Sequence, residues 1–420
     1  MKSNPIKKIL VIGYVWPEPD SSAAGSHMMS ILRLFKQQNW QVEFATPAQT
    51  TEHMIDLSNE GISSKSISLN CDSFDTYINE YQPDVVMFDR FMMEEQFGWR
   101  VEKNCPRALK ILDTEDLQCL RHARHQASKS NREMTPDNFL QADLFSDIAK
   151  REIAAILRCD ISLIISSFEM ELLINTFKVD ASLLHYLPFM VKLDQCPEKT
   201  LNFSERHHFM TIGNFRHAPN WDMVLHLQSI WPRIKKQIPE VELHIYGAYP
   251  PPKATALHNP KTGFLIKGWA ENALTVMEQS RLCLAPIRFG AGIKGKLLDA
   301  MLMQTPSITT SMGSEGMHQH EAWPGAIADT DEAFVEMAVK LYNDELLWQE
   351  AKNSCRALLH ARYDSKKLGA LLIEKIVTTA STLEQHRLNN FTGAMLRHHS
   401  MASTKYMSQW IAAKNKASTE

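Results

Sequence analysis

The chain has 420 residues, 44% hydrophobic and 22% charged, a composition expected of a soluble globular protein long enough for two separate cores. A net charge of −3 lacks the basic footprint of a nucleic-acid binder. Seven scattered cysteines without a CxxC pair point to a reducing compartment and away from a structural zinc cluster. No stretch approaches the ~18 apolar residues of a membrane span, and Met1–Lys8 runs directly into a strand pattern without a signal peptide. The expected location is cytoplasmic.

In chain order, Lys8–Tyr14 (KILVIGY) predicts a buried first strand. Pro17-Glu18-Pro19-Asp20-Ser21-Ser22 must be a loop, since prolines and small polar residues stop a helix. A helix follows from about Gly25 to Gln38, with Met28, Ile31, Leu32 and Phe35 inward, and then a strand at Gln41–Ala45. Further strands are expected at Asp84–Phe88, Ala108–Leu112 and Ile161–Ser166. Their alternation with helical stretches argues for a doubly wound parallel sheet. Charged clusters follow three strand ends, where such sheets bind ligands: Asp89-Arg90, Asp113-Thr114-Glu115-Asp116, and Ser166-Ser167 with Glu169. In the second cluster Asp113 or Thr114 reads first as the N-cap of the helix carrying Leu117 and Leu120. The competing reading sets a carboxylate, Glu115 or Asp116, against an acceptor hydroxyl as base or orienter.

The pattern restarts after a polar linker at 188–207. His208–Ile212 is a strand, Gly213 to Trp221 its loop, and Pro219 fits the first turn of a helix running to Lys236. Val241–Tyr246 and Gly263–Gly268 are further strand-and-turn units. Asp329-Thr330-Asp331 spells DxD but lies between a strand and a long helix, so it reads as helix capping rather than a metal site. Ser365–Thr382 is amphipathic, with Leu368, Leu371, Leu372, Ile376 and Val377 at helical spacing. The stretch from Glu384 reads as a weak surface helix near Ser403–Lys414 or as disorder.

The most informative stretch is Leu284 to Met317. A short apolar run leads into the loop Phe289-Gly290-Ala291-Gly292-Ile293-Lys294-Gly295-Lys296. A helix follows, with Leu297, Leu298, Met301 and Leu302 on one stripe, and then Ser307–Thr310 and a second glycine turn. Strand, glycine loop, helix, strand is the layout of an anion site, because free amides and the dipole at a helix start favour phosphate. Lys294 and Lys296 add positive charge where the dipole alone would disfavour it. The loop is neither GxxxxGK[ST] nor GxGxxG, and Lys296 with Asp299 also fits a surface ion pair worth only ~0.2–0.5 kcal/mol.

This stretch resembles the donor site of GT-B-fold glycosyltransferases, and specifically glycosyltransferase family 4. Many members read P-x-R-x-G-x-G-x-K-x-K-x-x-E-A-M-A-x-G-x-P-x-V-x-T before a turn ending E-G. Pro286, Arg288, Gly290, Gly292, Lys294, Lys296, Ala300, Met301, Pro306, Thr309, Thr310, Glu315 and Gly316 match in place and order. Asp299 replaces the family's ribose-binding glutamate, Thr305 its late glycine, and Ala291 the first glutamate of its E-x7-E pair. The run from Arg151-Glu152 through Arg158-Cys159-Asp160 to Glu169 resembles the E…(A/C)D-x-(V/I)-I-x-x-S-x-x-E stretch that closes many N-terminal domains, and Gly213 to Asn220 the G-(S/N)-x-x-x-x-P-N loop.

The resemblance implies two Rossmann-like domains facing across a cleft. The divisions would be an acceptor-side domain at 1–187, a linker at 188–207, a donor domain at 208–363, a returning helix at 364–383 and a tail at 384–420. It implies transfer of a sugar from a nucleoside-diphosphate sugar to an acceptor hydroxyl of a glycan, polysaccharide or lipid-linked saccharide, with retention and without a metal or other cofactor. A lipid-linked acceptor would add peripheral membrane contact. Lys294, Lys296 and Arg288 would neutralise the leaving diphosphate. Gly213, Arg216, the loop Gly290, Ala291, Gly292 and Ile293, together with Asp299 and Glu315, would bind the donor. Gly25, Glu115 and Asp116 would face the acceptor, though Gly25 equally reads as a helix start and Arg216 as an exposed loop arginine. Two rivals are a non-catalytic nucleotide-sugar-binding module and a nucleotide-sugar epimerase.

Overall fold

The structure, a computed structural model, describes residues 6–130, 132, 137 and 141–417. Two parallel sheets, flanked by helices, organise the chain. The first holds β1 (Lys8–Ile12), β2 (Gln41–Thr46), β3 (Ser63–Ser66), β4 (Val85–Asp89), β5 (Leu109–Asp113), β6 (Ile161–Ile164) and β7 (Leu184–Tyr186), in the order β3-β2-β1-β4-β5-β6-β7. The second holds β8 (His207–Ile212), β9 (Leu243–Tyr246), β10 (Phe264–Gly268), β11 (Ser280–Ala285), β12 (Ser307–Thr309) and β13 (Gly325–Ile327), in the order β10-β9-β8-β11-β12-β13. In each sheet the direction of winding reverses once, between β1 and β4 and between β8 and β11. Those reversals leave a crevice beyond the strand ends, where open α/β sheets bind ligands.

The central strands are continuous apolar runs because helices cover both faces. In β1, Ile9, Leu10, Val11 and Ile12 are all buried. Strands β3 and β7 escape a reading by pattern. Ser63–Ser66 is a polar edge strand, exposed throughout, and Leu184–Tyr186 is three residues long.

The helix Ala23–Gln37 begins where Ser22 accepts a hydrogen bond from the Gly25 amide at 3.1 Å. Gly25 therefore lies within the first turn of the helix. A Cβ there would meet the Glu18 backbone at 2.4 Å, and Gly25 does not line the cleft, although Ala23, Ala24 and Ser26 do. Its glycine admits the preceding loop, which corrects the acceptor-side reading.

The helix Ser365–Ser381 packs on the first sheet, burying Leu368, Leu372 and Ile376 with Ile9, Val11 and Met87. Burying such aliphatic side chains contributes roughly 1.5–3 kcal/mol each. The two chain passages between the sheets meet here: Val191 N–H donates to the Tyr363 carbonyl at 2.7 Å, and Ser365 N–H to the Val191 carbonyl at 2.9 Å.

Beyond it, the helix Leu383–Asn389 leads to Phe391–Ala417, which docks on the helices Phe91–Asn104 and Asp147–Arg158. The Arg387 guanidinium bonds Asp160 at 2.8 Å, and Asn390 bonds the Leu157 carbonyl at 2.8 Å. The tail is thus far more helical than its weak periodicity predicts, because polar anchors rather than an apolar stripe fix it.

Candidate active site

Between the sheets lies a cleft of about 2570 Å³. Its second-domain wall comes from the loops that follow β8 and β11, the two strands at the reversal. The helix Gly295–Leu302 starts in this wall, with Lys294 at its N-cap. The amides of Ile293, Lys294, Gly295 and Lys296 have no protein acceptor among the described residues, so up to four N–H groups gather at the positive end of a helix. Lys296 lines the cleft and donates to the Asn220 side chain at 2.6 Å. Burial lowers its pKa to about 8, so it is still mostly protonated at neutral pH. Lys294 is buried, donates to the Gly292 carbonyl at 3.0 Å, and burial likewise lowers its pKa.

Asp299 lies one helical turn beyond Lys296 and also lines the cleft. Among the described residues it forms no ion pair or hydrogen bond through its carboxylate, and Lys296, whose partner is Asn220, acts on it only as a nearby charge. Burial pushes its pKa up to about 7. A half-buried carboxylate without a protein donor is suited to a ligand carrying hydroxyl groups. Gly213 lies against the Asn220 side chain, and Arg216, exposed on the cleft wall, stacks on Tyr249 with 3.7 Å from guanidinium carbon to ring centre.

Several groups expected at the donor instead have protein partners, within the second domain or across the domain interface. Arg288 is exposed, does not line the cleft and forms a two-point ion pair with Asp222, so its expected role at the diphosphate is corrected. Glu315 is buried against Arg124 of the first domain, with contacts of 2.8 and 2.7 Å, and the same guanidinium bonds the Gly290 carbonyl at 2.8 Å. Glu315 thus joins the two domains, where the motif implied a contact to the donor. The Gly292 amide is also taken: it donates to Glu169 at 2.8 Å. At φ 64° Gly292 suits glycine, and a Cβ there would meet Asp116 at 2.9 Å; one at Gly295 would meet Ala23 at 2.4 Å. These glycines admit the first domain, although both also line the cleft. Ala291 packs against the first domain's core, and Ile293 is buried.

The first-domain wall gathers Tyr14, Arg90, Glu115, Asp116, Arg121 and His122. The N-cap reading of the acidic cluster is corrected, since Asp113 ends β5 and the helix is Gln118–Lys129. Its first amides are held by Glu152, which accepts from Gln118 and Cys119 at 2.9 Å each, and Glu169 accepts from Leu117 at 3.0 Å. That releases Glu115 and Asp116 to the cleft. Burial, then the Asp113 and Asp89 carboxylates, drive the Glu115 carboxyl well above its usual range, which favours a neutral, proton-holding group. Asp116 is held by Arg121 at 2.6 Å.

Asp329-Thr330-Asp331 does cap: Thr330 accepts from the Ala333 amide at 3.2 Å, and Asp331 and Glu332 occupy the first turn of the helix Asp331–Asn343. Arg124 and Asn220 were not singled out from sequence. Arg124 carried a signal, because it stands on the apolar face of its helix with Leu120 and Ala127, where a charge needs a buried partner.

Residues 206–344 match the family model for glycosyl transferases group 1. An uncharacterized 44.6 kDa protein of the cps region of Klebsiella pneumoniae is 24% identical over 165 residues, 37% of this chain, and the match spans only 42% of that relative's length. Among solved structures, sucrose-phosphate synthase from Thermosynechococcus elongatus has a TM-score of 0.66 at 13% identity, covering 90% of this chain and 100% of that one. HepE from Anabaena, solved with UDP, has a TM-score of 0.65 at 10% identity, covering 88% and 100%. TarM of S. aureus, solved with UDP and a GlcNAc-glycerol, scores 0.56 at 15% identity, and the chain spans 58% of its length. Residues 206–344 are thus similar to glycosyl transferases group 1, and they are carried in a two-domain GT-B fold.

Proposed function

We propose that the cleft transfers a sugar from a nucleoside-diphosphate sugar to an acceptor hydroxyl of a saccharide or lipid-linked saccharide. The observation that carries this reading is the start of the helix Gly295–Leu302, where amides and an Asp299 carboxylate without partners among the described residues share one cleft with the Lys296 ammonium. The amides and Lys296 would take the diphosphate, and Asp299 the ribose hydroxyls about a turn away. In the reaction the bond from the anomeric carbon to the diphosphate oxygen breaks, the acceptor oxygen bonds that carbon, and the acceptor's proton passes to the departing phosphate oxygen. The negative charge that builds on the diphosphate is stabilised by groups already oriented towards it. Glu115 and Asp116 stand on the opposite wall, where the acceptor would lie. Retention of configuration and turnover without magnesium or manganese belong to the same proposal. Solved relatives that carry UDP support the donor class.

The second reading, a nucleotide-sugar-binding module without turnover, draws on the loss of Arg288, Glu315 and the Gly292 amide to other partners. A thermal-shift screen with nucleoside diphosphates and their sugars, followed by mass analysis of acceptor mixtures and of slow hydrolysis, separates the two. Transfer should need donor, persist in chelator and weaken sharply in Asp299→Ala. Tight donor binding with neither transfer nor hydrolysis would favour the module. Chelator-sensitive turnover restored by magnesium or manganese would remove the metal-free reading.

A further inference from the structure

Away from the cleft, β8 and β9 bring together three metal-ligating side chains. Phe209 pairs with Leu243 and Met210 with His244, so His208, Glu242 and His244 share one face of the sheet by the two-residue period of strands. Their ligand atoms all lie within 4.8 Å of one another. The Glu242 carboxylate sits 2.7 Å from His244 Nε2 and 3.9 Å from His208 Nε2, and the two imidazole centres are 5.0 Å apart. All three side chains are half-buried, so water reaches them without fully solvating them.

We propose that His208, Glu242 and His244 form a site for a divalent transition metal of the zinc class that ties β8 to β9. Two imidazoles and a carboxylate are a donor set such ions take, with a fourth position left for water. A tetrahedral ion with bonds of about 2.0–2.2 Å holds neighbouring ligand atoms roughly 3.4 Å apart. The two distances to the Glu242 carboxylate, 2.7 and 3.9 Å, bracket that spacing, and no ligand atoms of the three lie more than 4.8 Å apart, so closing the set takes side-chain adjustments and no change of backbone register. His208 also holds a left-handed φ of 61° inside a strand, a conformation that persists only where surrounding contacts impose it.

Two features oppose binding and set its strength. His208 Nδ1 accepts the Glu242 amide hydrogen at 3.2 Å, whereas ligation through Nε2 leaves a proton on Nδ1, so that bond is given up. Lys267 adds positive charge nearby. Affinity on the order of micromolar is therefore expected, weaker than that of structural zinc clusters. None of the three lines the cleft, and His208 stands five residues before Gly213, roughly 16 Å along the strand. The inference is thus independent of the transfer reaction proposed above.

The test uses the full chain, stripped with chelator and titrated with zinc by calorimetry and with cobalt by visible absorption. One saturable site is expected, with a cobalt d–d band, no thiolate charge-transfer band, and a zinc-dependent rise in melting temperature. The double variant His208→Ala/His244→Ala should lose affinity at least tenfold. Glu242→Gln, nearly isosteric and half-exposed, should do the same with unchanged circular dichroism, and it decides the matter if the double variant folds poorly. Absence of a saturable site, affinity undiminished in Glu242→Gln, or a thiolate band assigning the metal to cysteine would overturn the proposal.

Discussion

The buried Arg124–Glu315 pair offers the sharpest test of how the two domains are held together. Arg124 is fully buried and Glu315 is 8% exposed, and the guanidinium makes two bonds to the carboxylate and one to the Gly290 carbonyl. Removing one partner strands a charge in a low-dielectric interface. Breaking such a pair typically costs about 3–5 kcal/mol, whereas an exposed pair contributes about 0–1 kcal/mol. Arg124→Met and Glu315→Leu should therefore each destabilise by about 3–5 kcal/mol, while the double variant should lose less than the sum and less than either single change. The assay is equilibrium urea unfolding by circular dichroism, paired with small-angle scattering to detect opened domains. Because the pair crosses the interface, part of the loss should appear as a larger radius of gyration at low denaturant. Single variants that lose under about 1 kcal/mol and keep the wild-type radius would refute the reasoning.

At the helix start, Lys296→Ala should weaken nucleoside-diphosphate binding about ten- to a hundredfold by calorimetry, the loss of one charge-assisted contact of ~1.5–3 kcal/mol. Arg288→Ala should change it by less than about threefold, because that guanidinium faces Asp222 outside the cleft; the reverse order would restore Arg288 to the site. Glu169 predicts a pH dependence. Burial, then Asp116, raise its pKa to about 8, so between its unfolded value near 4.5 and about 8 the native state keeps a proton that the unfolded chain has lost. Its stabilising contribution is full below the lower value and is lost as pH rises to the upper one, at up to about 1.4 kcal/mol per pH unit. Glu169→Gln should flatten the stability curve over that window relative to wild type. Parallel curves for the two proteins between pH 5 and 8 would show that Glu169 is ionised in the fold.

The alternation of apolar strands with amphipathic helices, the restart near His208 and the loop from Gly290 to Lys296 were enough to specify two parallel sheets and a glycine loop leading into the start of one helix. These features are local: strand apolarity, helical period and glycine before a helix are set within a dozen residues. What each charged group pairs with was not legible. Arg288 and Asp222 are 66 residues apart, Glu315 and Arg124 are 191 apart, and Gly292 and Glu169 are 123 apart. A motif shows which side chains surround a loop but not which of its hydrogen bonds the opposite domain has already taken. Gly25 and Gly295 show the same division, since local pattern marks them as flexible and only packing reveals that the Glu18 backbone and Ala23 fill the missing Cβ space. The metal-ligating trio lies at the far end of this scale. His208 and Glu242 are 34 residues apart and meet only because two parallel strands run side by side, so their chemistry was decided by the sheet.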